Sequence, residues 1–165
     1  MRVAVVCLGN ICRSPMAETV LRERLRESGL EGPHAEGRVE LVSAGTGGWH
    51  VGERMDPRAA ATLREAGYDP DHHRARQWPV GDPATYDLVL AMDHENLRDL
   101  GGPSRQVRLF RDFDPVGTGE DVPDPYYGGT GGFVEVLEMV ERTSEAIVAG
   151  LVADRDAGVE EDATR

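Results

Sequence analysis

The residues best suited to chemistry lie near the N-terminus, where five residues separate Cys7 from Arg13. A thiol beside an arginine and a helix N-terminus ionises readily and is then a strong nucleophile. A guanidinium presents a planar fork that can hold two oxygens of a phosphoryl group. We therefore expect Cys7 to be a nucleophile and Arg13 to bind the anionic group that it attacks.

A tight loop between a strand and a helix is predicted to hold these two side chains. Val3–Val6 is short, apolar and rich in β-branched residues, which indicates a buried strand. Ser14 suits a helix N-cap and Pro15 suits the first helical position, so a helix is expected to begin there. Gly9 allows close approach of the backbone to a ligand, and Asn10 tolerates a left-handed conformation. Because the N–H groups of such a loop and the positive end of the next helix converge, the segment predicts an anion-binding loop.

The composition indicates one domain and narrows the range of partners. The chain has 165 residues, of which 39% are hydrophobic, enough for a single core. Two cysteines are too few for a disulfide framework, and the five histidines show no ligand spacing, so we expect neither a metal nor another cofactor. No apolar run is long enough to span a membrane and no signal pattern is visible, so we expect a cytoplasmic protein without a membrane partner. The net charge of −12 argues against nucleic acid as a partner.

Apolar periodicity and turn residues divide the chain into alternating strands and helices. After the first strand, strands are predicted at Val39–Ser43, Leu88–Met92 and Val107–Phe110. Helices are predicted at Pro15–Ser28, from Pro57 (capped by Asp56) to Gly67, around Glu95–Leu100, and from Phe133 to about Leu151, with loops at Gly29–Gly37 and Arg111–Gly132. The second of these loops is long, and such loops are often functional. The alternation predicts a parallel sheet with right-handed crossovers, although the pattern does not give the strand order.

Several motifs, taken in order along the chain, resemble those of one known family. The segment Cys7-Leu8-Gly9-Asn10-Ile11-Cys12-Arg13-Ser14-Pro15 resembles the signature of the low-molecular-weight protein tyrosine phosphatases. The resemblance continues in Ser43-Ala44-Gly45, Trp49, Asp56-Pro57-Arg58, His73-Arg74-Ala75-Arg76-Gln77, Met92-Asp93 and Asp124-Pro125-Tyr126-Tyr127. It extends from about Val3 to about Leu151.

The resemblance implies an α/β fold with a single domain over residues 1–153. Its four-stranded parallel sheet has the order 2-1-3-4, with helices on both faces and a phosphate-binding loop after strand 1. In that order the loop lies at the switch point of the sheet, where such folds bind ligands. Residues 154–165 are acidic, and we expect them to form a disordered tail.

The resemblance also implies an activity: hydrolysis of phosphotyrosine and small aryl phosphates, without a metal, through a phosphocysteine on Cys7. The phosphate would be bound by Leu8, Gly9, Asn10, Ile11, Cys12, Arg13 and Ser14. Asp124 would be the general acid for the leaving oxygen and then the base for the attacking water. On the residues alone this aspartate is not ranked above its neighbours in the loop, Asp112, Asp114 and Asp121. The implied partners are phosphotyrosine proteins and a tyrosine kinase, with phosphate, vanadate or arsenate as inhibitors.

Further residues receive supporting roles from the resemblance. A hydrogen-bond network that holds the loop open is expected to contain Asn10, Ser14, Ser43 and His73. The walls of the substrate pocket are expected to be Leu8, Trp49, Tyr126 and Tyr127. Cys12 shares the loop with Cys7, which makes it either a resolving thiol for oxidised Cys7 or a small residue that fills space.

Three alternative functions are compatible with a cysteine after the first strand. A phosphoarginine phosphatase is the nearest, but in that branch Thr tends to follow the loop asparagine, where this chain has Ile11. An arsenate reductase of the same fold relays oxidation through further cysteines, and this chain has none beyond Cys12. A cysteine phosphocarrier, which is not an enzyme, needs neither Arg13 nor a general acid. Phosphotyrosine hydrolysis is therefore the favoured expectation.

Overall fold

The central sheet has four parallel strands, and the computed structural model describes them within residues 1–32, 38–79 and 83–163. The strands are β1 (Arg2–Cys7), β2 (Glu40–Gly45), β3 (Leu88–Ala91) and β4 (Val107–Leu109). Their order is β2-β1-β3-β4, which confirms the order that the resemblance implied. The inner strands β1 and β3 are almost wholly apolar because helices cover both faces of the sheet.

Four α-helices cover the sheet. They are α1 (Arg13–Glu27), α2 (Pro57–Glu65), α3 (His94–Asp99) and α4 (Gly131–Ala163), with short 3₁₀ helices at Pro83–Thr85 and Phe110–Phe113. The larger core lies between one face of the sheet and α1, α2 and α4, and it includes Val3, Val5 and Cys7 of β1. The alternate residues Ala4 and Val6 face α3 on the other side. This arrangement confirms a single α/β unit with helices on both faces.

The start of α1 differs from the sequence prediction, which placed the N-cap at Ser14. The helix begins at Arg13, and Cys12 occupies the N-cap position without a side-chain capping bond. The Ser14 hydroxyl instead lies 2.9 Å from the sulfur of Cys7, inside the loop. Pro15 remains compatible with the first turn because the N–H groups there have no intrahelical partner. The predicted start of α2 is confirmed, since Asp56 accepts a hydrogen bond from the Arg58 N–H.

The end of the chain also differs from the prediction. We expected the last helix to end near Leu151, yet α4 continues to Ala163 and so extends through residues 154–163 of the predicted tail. The extension has no proline, and Leu151 and Val152 pack against the larger core. Arg155 also donates a hydrogen bond to the Ser28 carbonyl at the end of α1 (3.2 Å). The helix propensity of these residues and the contacts with the core and α1 outweigh the acidic composition that led us to end the helix earlier.

Two short segments of the predictions fall outside the described residues. They are residues 33–37 of the loop predicted at Gly29–Gly37, and residues 164–165 of the predicted tail. In the part of the chain that is described, no helix combines the length and apolar character needed to cross a membrane.

Candidate active site

The loop between β1 and α1 surrounds the sulfur of Cys7. Cys7 ends β1 and is buried, and its Sγ accepts a hydrogen bond from the Asn10 N–H (3.3 Å). Asn10 has φ 54°, the left-handed conformation anticipated for it, and this turns its N–H toward the sulfur. The next helix begins directly behind the loop, so its N–H groups and positive end also face this point. The loop therefore has the geometry that an anion-binding loop needs, with the thiol at its base.

The side chain of Asn10 connects the loop to β2 and fixes the hydroxyl protons around it. Its Nδ2 donates to Ser14 Oγ (2.8 Å) and to Ser43 Oγ (2.9 Å), while its Oδ1 accepts from the Arg76 N–H (2.9 Å). Ser14 thus retains its own proton for donation. Cys7 Sγ at 2.9 Å is nearer to Ser14 Oγ than the other acceptor, the Ala44 carbonyl, at 3.4 Å. The Ser14 hydroxyl is therefore placed to donate to the sulfur of Cys7.

His73 and Glu18 complete this network behind the loop. His73 Nε2 donates to the Asn10 carbonyl (2.7 Å), since a carbonyl can only accept. Burial lowers the pKa of His73, although the bond to Asn10 and the charge of Glu18 act in the opposite direction, so the ring is neutral near pH 7. Glu18 accepts a short hydrogen bond from the Ser43 hydroxyl. The sequence prediction missed Glu18; the available signal was its position one turn after Ser14 on α1.

Arg13 is buried at the mouth of the loop, and only 3% of its side chain is exposed. Its Nη1 donates to Asp93 (2.5 Å) and to the Val122 carbonyl (3.1 Å), and its Nη2 donates to Asp124 (3.4 Å). Burial acts to lower the pKa of Arg13, but the charges of Cys7, Asp93 and Asp124 raise it overall. The role of Asp93 was not predicted, although it follows β3, the strand beside β1 in the sheet.

Asp124 is the aspartate of the long loop that reaches this site. One carboxylate oxygen accepts from Arg13, and the other accepts from the Tyr126 N–H (3.1 Å). Its side chain is 35% exposed, which leaves it accessible to a bound substrate. Asp124 lines the same cavity as Cys7. The carboxylate and the sulfur therefore face one space, as an acid and a nucleophile acting on one substrate must.

The other aspartates of that loop have different partners. Asp114 is fully buried between Arg111 and Arg142; burial alone would raise its pKa, but the hydrogen bonds from Arg142, the Val116 N–H and Arg111 lower it to about 2. Such a carboxylate holds no proton near neutral pH and cannot act as an acid there. The remaining two are engaged outside the cavity: Asp121 bonds to His94, and Asp112 bonds to the Leu109 N–H.

A cavity of about 280 Å³ opens above the loop and is flanked by aromatic side chains. Its lining includes all four predicted wall residues, Leu8, Trp49, Tyr126 and Tyr127, together with Ile11 from the loop. The rings of the two tyrosines meet edge to face, 5.0 Å apart. His50 also lines the cavity and was not predicted; its Nδ1 lies 2.7 Å from Glu53.

The fold and this site together define a class of protein: an α/β protein with a cysteine and an arginine in an anion-binding loop after β1. The family model for low molecular weight phosphotyrosine protein phosphatase matches residues 2–157. The chain belongs to that family, which confirms the resemblance found in its motifs.

Individual relatives agree with this assignment. The chain is 50% identical over 158 residues to a low molecular weight protein-tyrosine-phosphatase of Streptomyces coelicolor, covering 91% of this chain and 93% of the relative. It is 46% identical over 147 residues to low molecular weight protein-tyrosine phosphatase A of Mycobacterium tuberculosis, covering 86% and 85%.

Solved structures show the same fold. A protein tyrosine phosphatase from Entamoeba histolytica, with Hepes in its active site, is similar at a TM-score of 0.82 and 32% identity, covering 94% of this chain and 99% of that one. YfkJ from Bacillus subtilis is similar at a TM-score of 0.81 and 36% identity, covering 93% and 96%.

Proposed function

We propose that this protein hydrolyses phosphotyrosine in proteins, and small aryl phosphates, through a phosphocysteine on Cys7. The observation that carries the proposal is the convergence of Cys7, Arg13 and Asp124 on one cavity with aromatic walls. A nucleophile, an anion-binding fork and an acid are the groups that such a transfer needs.

In the first step, the Cys7 thiolate attacks phosphorus and forms a phosphorus–sulfur bond as the bond to the phenolic oxygen breaks. Arg13 and the loop N–H groups hold the other oxygens of the phosphoryl group, where negative charge is concentrated. Asp124 gives its proton to the departing phenolic oxygen. This proton is needed because tyrosine is a basic leaving group.

In the second step, water attacks the phosphocysteine. Asp124, now a carboxylate, takes a proton from that water, and the phosphorus–sulfur bond breaks to release inorganic phosphate. The electron pair returns to the Cys7 sulfur, which the Ser14 hydroxyl and the Asn10 N–H stabilise through their hydrogen bonds. The enzyme thereby regains its starting protonation state.

The shape of the cavity supports an aryl substrate. The sulfur lies below aromatic walls, so the short side chain of a phosphoserine reaches it less well than the long ring of a phosphotyrosine. Ile11 lines the cavity, which favours phosphotyrosine over phosphoarginine. The carboxylate of Asp124 beside Arg13 favours hydrolysis over a phosphocarrier, since a carrier has no use for an acid.

The mechanism is tested by two substitutions at the site. Cys7→Ser should abolish hydrolysis of phosphotyrosine peptides, since the hydroxyl is a far weaker nucleophile. Arg13→Lys keeps the charge but not the fork, and should lower kcat/KM by roughly two orders of magnitude, comparable with removal of one oxyanion donor. Cys7→Ser, which changes one atom of the side chain, should keep the wild-type unfolding temperature, so its loss of activity would be chemical. Full activity of Cys7→Ser would rule out the phosphocysteine.

The partners follow from the same chemistry. We expect phosphate, vanadate and arsenate to compete for the loop; among similar structures, Wzb from Escherichia coli K30 is in complex with sulphate and Wzb from Vibrio vulnificus with benzylphosphonate. We also expect a cytoplasmic enzyme that acts opposite a tyrosine kinase. A pull-down with Cys7→Ser as bait, followed by mapping of phosphorylation sites, identifies the substrates.

A further inference from the structure

The start of α2 lies between the two loops that carry the nucleophile and the acid. On one side, the Asp56 N–H donates to the Ile11 carbonyl of the loop around Cys7 (2.8 Å). On the other side, the Arg58 guanidinium donates to the Tyr126 carbonyl (3.0 Å) and the Gly128 carbonyl (3.4 Å). These two carbonyls follow Asp124 in the chain. The first residues of α2 thus contact both loops.

Asp56 and Arg58 are joined so that they act as one unit. The Asp56 carboxylate, 8% exposed, accepts from the Arg58 N–H (2.8 Å), from Nε (3.1 Å) and from Nη2 (2.9 Å). This pairing raises the pKa of Arg58; burial acts to raise that of Asp56, but the hydrogen bonds from Arg58 lower it. The guanidinium also lies over the rings of Tyr126 (5.6 Å) and Phe133 (4.8 Å). Its orientation is therefore fixed from several directions.

The segment that carries the acid has few other attachments. Within the described residues, the hydrogen bonds that join residues 123–128 to the rest of the chain come from Arg13 and Arg58. A bound phosphoryl group competes with Asp124 for Arg13, because the oxygens of both accept hydrogen bonds from the same guanidinium. Arg58 does not line the cavity, so a substrate bound there does not have to displace its hydrogen bonds.

We propose that Arg58 is a positioning residue. It fixes the segment that carries Asp124 where this carboxyl group can protonate the leaving oxygen of a substrate bound at Cys7. It acts through the backbone of that segment and does not touch the substrate. This inference rests on the proposed function, in which Asp124 is the acid. It predicts that loss of Arg58 impairs protonation of the leaving group and spares the binding of phosphate.

The kinetic test uses Arg58→Met, which keeps an unbranched apolar stem and removes the donors. We expect kcat for phosphotyrosine and other basic phenols to fall about tenfold, part of the 10²- to 10⁴-fold that a general acid supplies. Substrates with acidic phenols, and the inhibition constant of vanadate, should change little. Arg64→Met is the matched control, since Arg64 lies on the same helix but pairs with Asp71 at the surface, and it should leave every value unchanged. An equal loss across the phenol series would overturn the proposal.

Two further measurements separate positioning from simple destabilisation. In an Asp124→Asn background, Arg58→Met should not lower kcat further, because no acid remains to be positioned. A further loss of kcat in that background would count against the positioning role of Arg58. Amide hydrogen exchange of residues 123–128 should be faster in Arg58→Met than in the wild type, and unchanged exchange would also overturn the proposal. If Arg58→Met does not fold, Arg58→Lys, which keeps one donor group, takes its place in all three assays. Because exchange needs no turnover, it tests Arg58 even if the wild type proves inactive on aryl phosphates.

Discussion

The sulfur of Cys7 is surrounded by groups that stabilise negative charge, each fixed by a further contact. Ser14 and Asn10 donate toward the sulfur, and Asn10 is held in turn by Ser43, Arg76 and His73. Because these groups are buried and already hydrogen-bonded, little reorganisation is needed when a phosphoryl group enters. At the scale of residues, the reactivity that we propose for Cys7 therefore depends on preorganised donors.

The role of Asp124 can be measured through the basicity of the leaving group. Asp124→Asn should lower kcat about 10²- to 10⁴-fold for phosphotyrosine, and far less for phosphates of acidic phenols, which leave without a proton. The wild type should show a bell-shaped pH profile, since Asp124 must carry its proton while the substrate, with a second pKa of about 6, is mostly a dianion. The variant should lose the basic limb of that profile. Equal losses for all phenols would instead assign the acid to another group.

Cys12 provides a second prediction at this scale. Burial, followed by the charges of Asp56 and Cys7, raises the pKa of Cys12 to about 12. Peroxide should oxidise the Cys7 thiolate to a sulfenic acid, which the Cys12 thiolate can attack to form a disulfide and release hydroxide. Because only the thiolate attacks, disulfide formation should be slow at neutral pH and should accelerate as pH rises toward 12. Mass spectrometry after a peroxide pulse at several pH values measures this rate.

The control for disulfide formation between Cys7 and Cys12 is recovery of activity with a thiol reductant. Wild-type activity should return after reduction, whereas Cys12→Ser should be lost irreversibly to higher oxidation states. Absence of a bond between Cys7 and Cys12 at every pH would leave Cys12 as a residue that only fills space.

At the scale of elements, the end of β2 supports the loop around Cys7 from behind. A Cβ on Gly45 would lie 2.7 Å from the Leu8 carbonyl oxygen, 2.9 Å from the Gly9 carbonyl carbon and 3.0 Å from the Asn10 nitrogen. All three are backbone atoms, so the loop itself would have to move. The glycine allows β2 and the loop to lie in direct contact.

Gly45→Ala should therefore damage the site more than the fold. We expect a loss of stability of about 1–3 kcal/mol from overpacking, and a fall of about tenfold in the affinity for phosphate as the loop N–H groups shift. Isothermal titration with phosphate and thermal unfolding measure the two effects. In Gly48→Ala, the matched control, the new methyl group meets only the end of the exposed Gln77 side chain, which can move, so both values should stay near those of the wild type.

At the scale of the whole molecule, a buried ion cluster connects the long loop to α4. The Asp114 carboxylate binds Arg111 (2.9 Å), which follows β4, and Arg142 of α4 (2.6 Å). Arg111 also donates to the Asp121 carbonyl (2.9 Å), three residues before Asp124. The cluster thus joins the sheet, the loop and the last helix.

Removal of the central carboxylate should weaken the entire fold. Asp114→Asn leaves two arginines without their partner, and loss of a buried partner costs about 3–5 kcal/mol. Since the folded pKa is lowered from 3.8 to about 2, the carboxylate stabilises the protein above pH 3.8 and loses that effect as pH falls through 2. The difference between wild type and variant should therefore be largest at neutral pH and shrink in acid. Urea unfolding across this range measures it, with the surface variant Asp71→Asn expected to change little.

The sequence by itself determined the parts of this protein that depend on neighbouring residues. Local preferences of the backbone account for three of these parts: the strand that leads to Cys7, the left-handed conformation of Asn10, and the start of α2 after Asp56. The alternation of strands and helices then required a parallel sheet, and the family motifs supplied its order. Cys7 and Arg13 could be chosen as candidates for the same reason, since one short loop holds both.

Only the tertiary structure decided which distant residues lie beside Cys7 and Arg13. Arg13 is 80 residues from Asp93 and 111 residues from Asp124, so no local pattern links them. The residues alone could not rank Asp124 above Asp114. The fold separates them, because hydrogen bonds from Arg142, the Val116 N–H and Arg111 keep Asp114 ionised despite its burial, while Asp124 faces the cavity. The length of α4 was wrong in the prediction for a related reason, since contacts such as that of Arg155 with Ser28 cannot be read from an acidic composition. Local sequence encodes the loop that holds Cys7 and Arg13, whereas packing between elements selects the distant side chains that surround them.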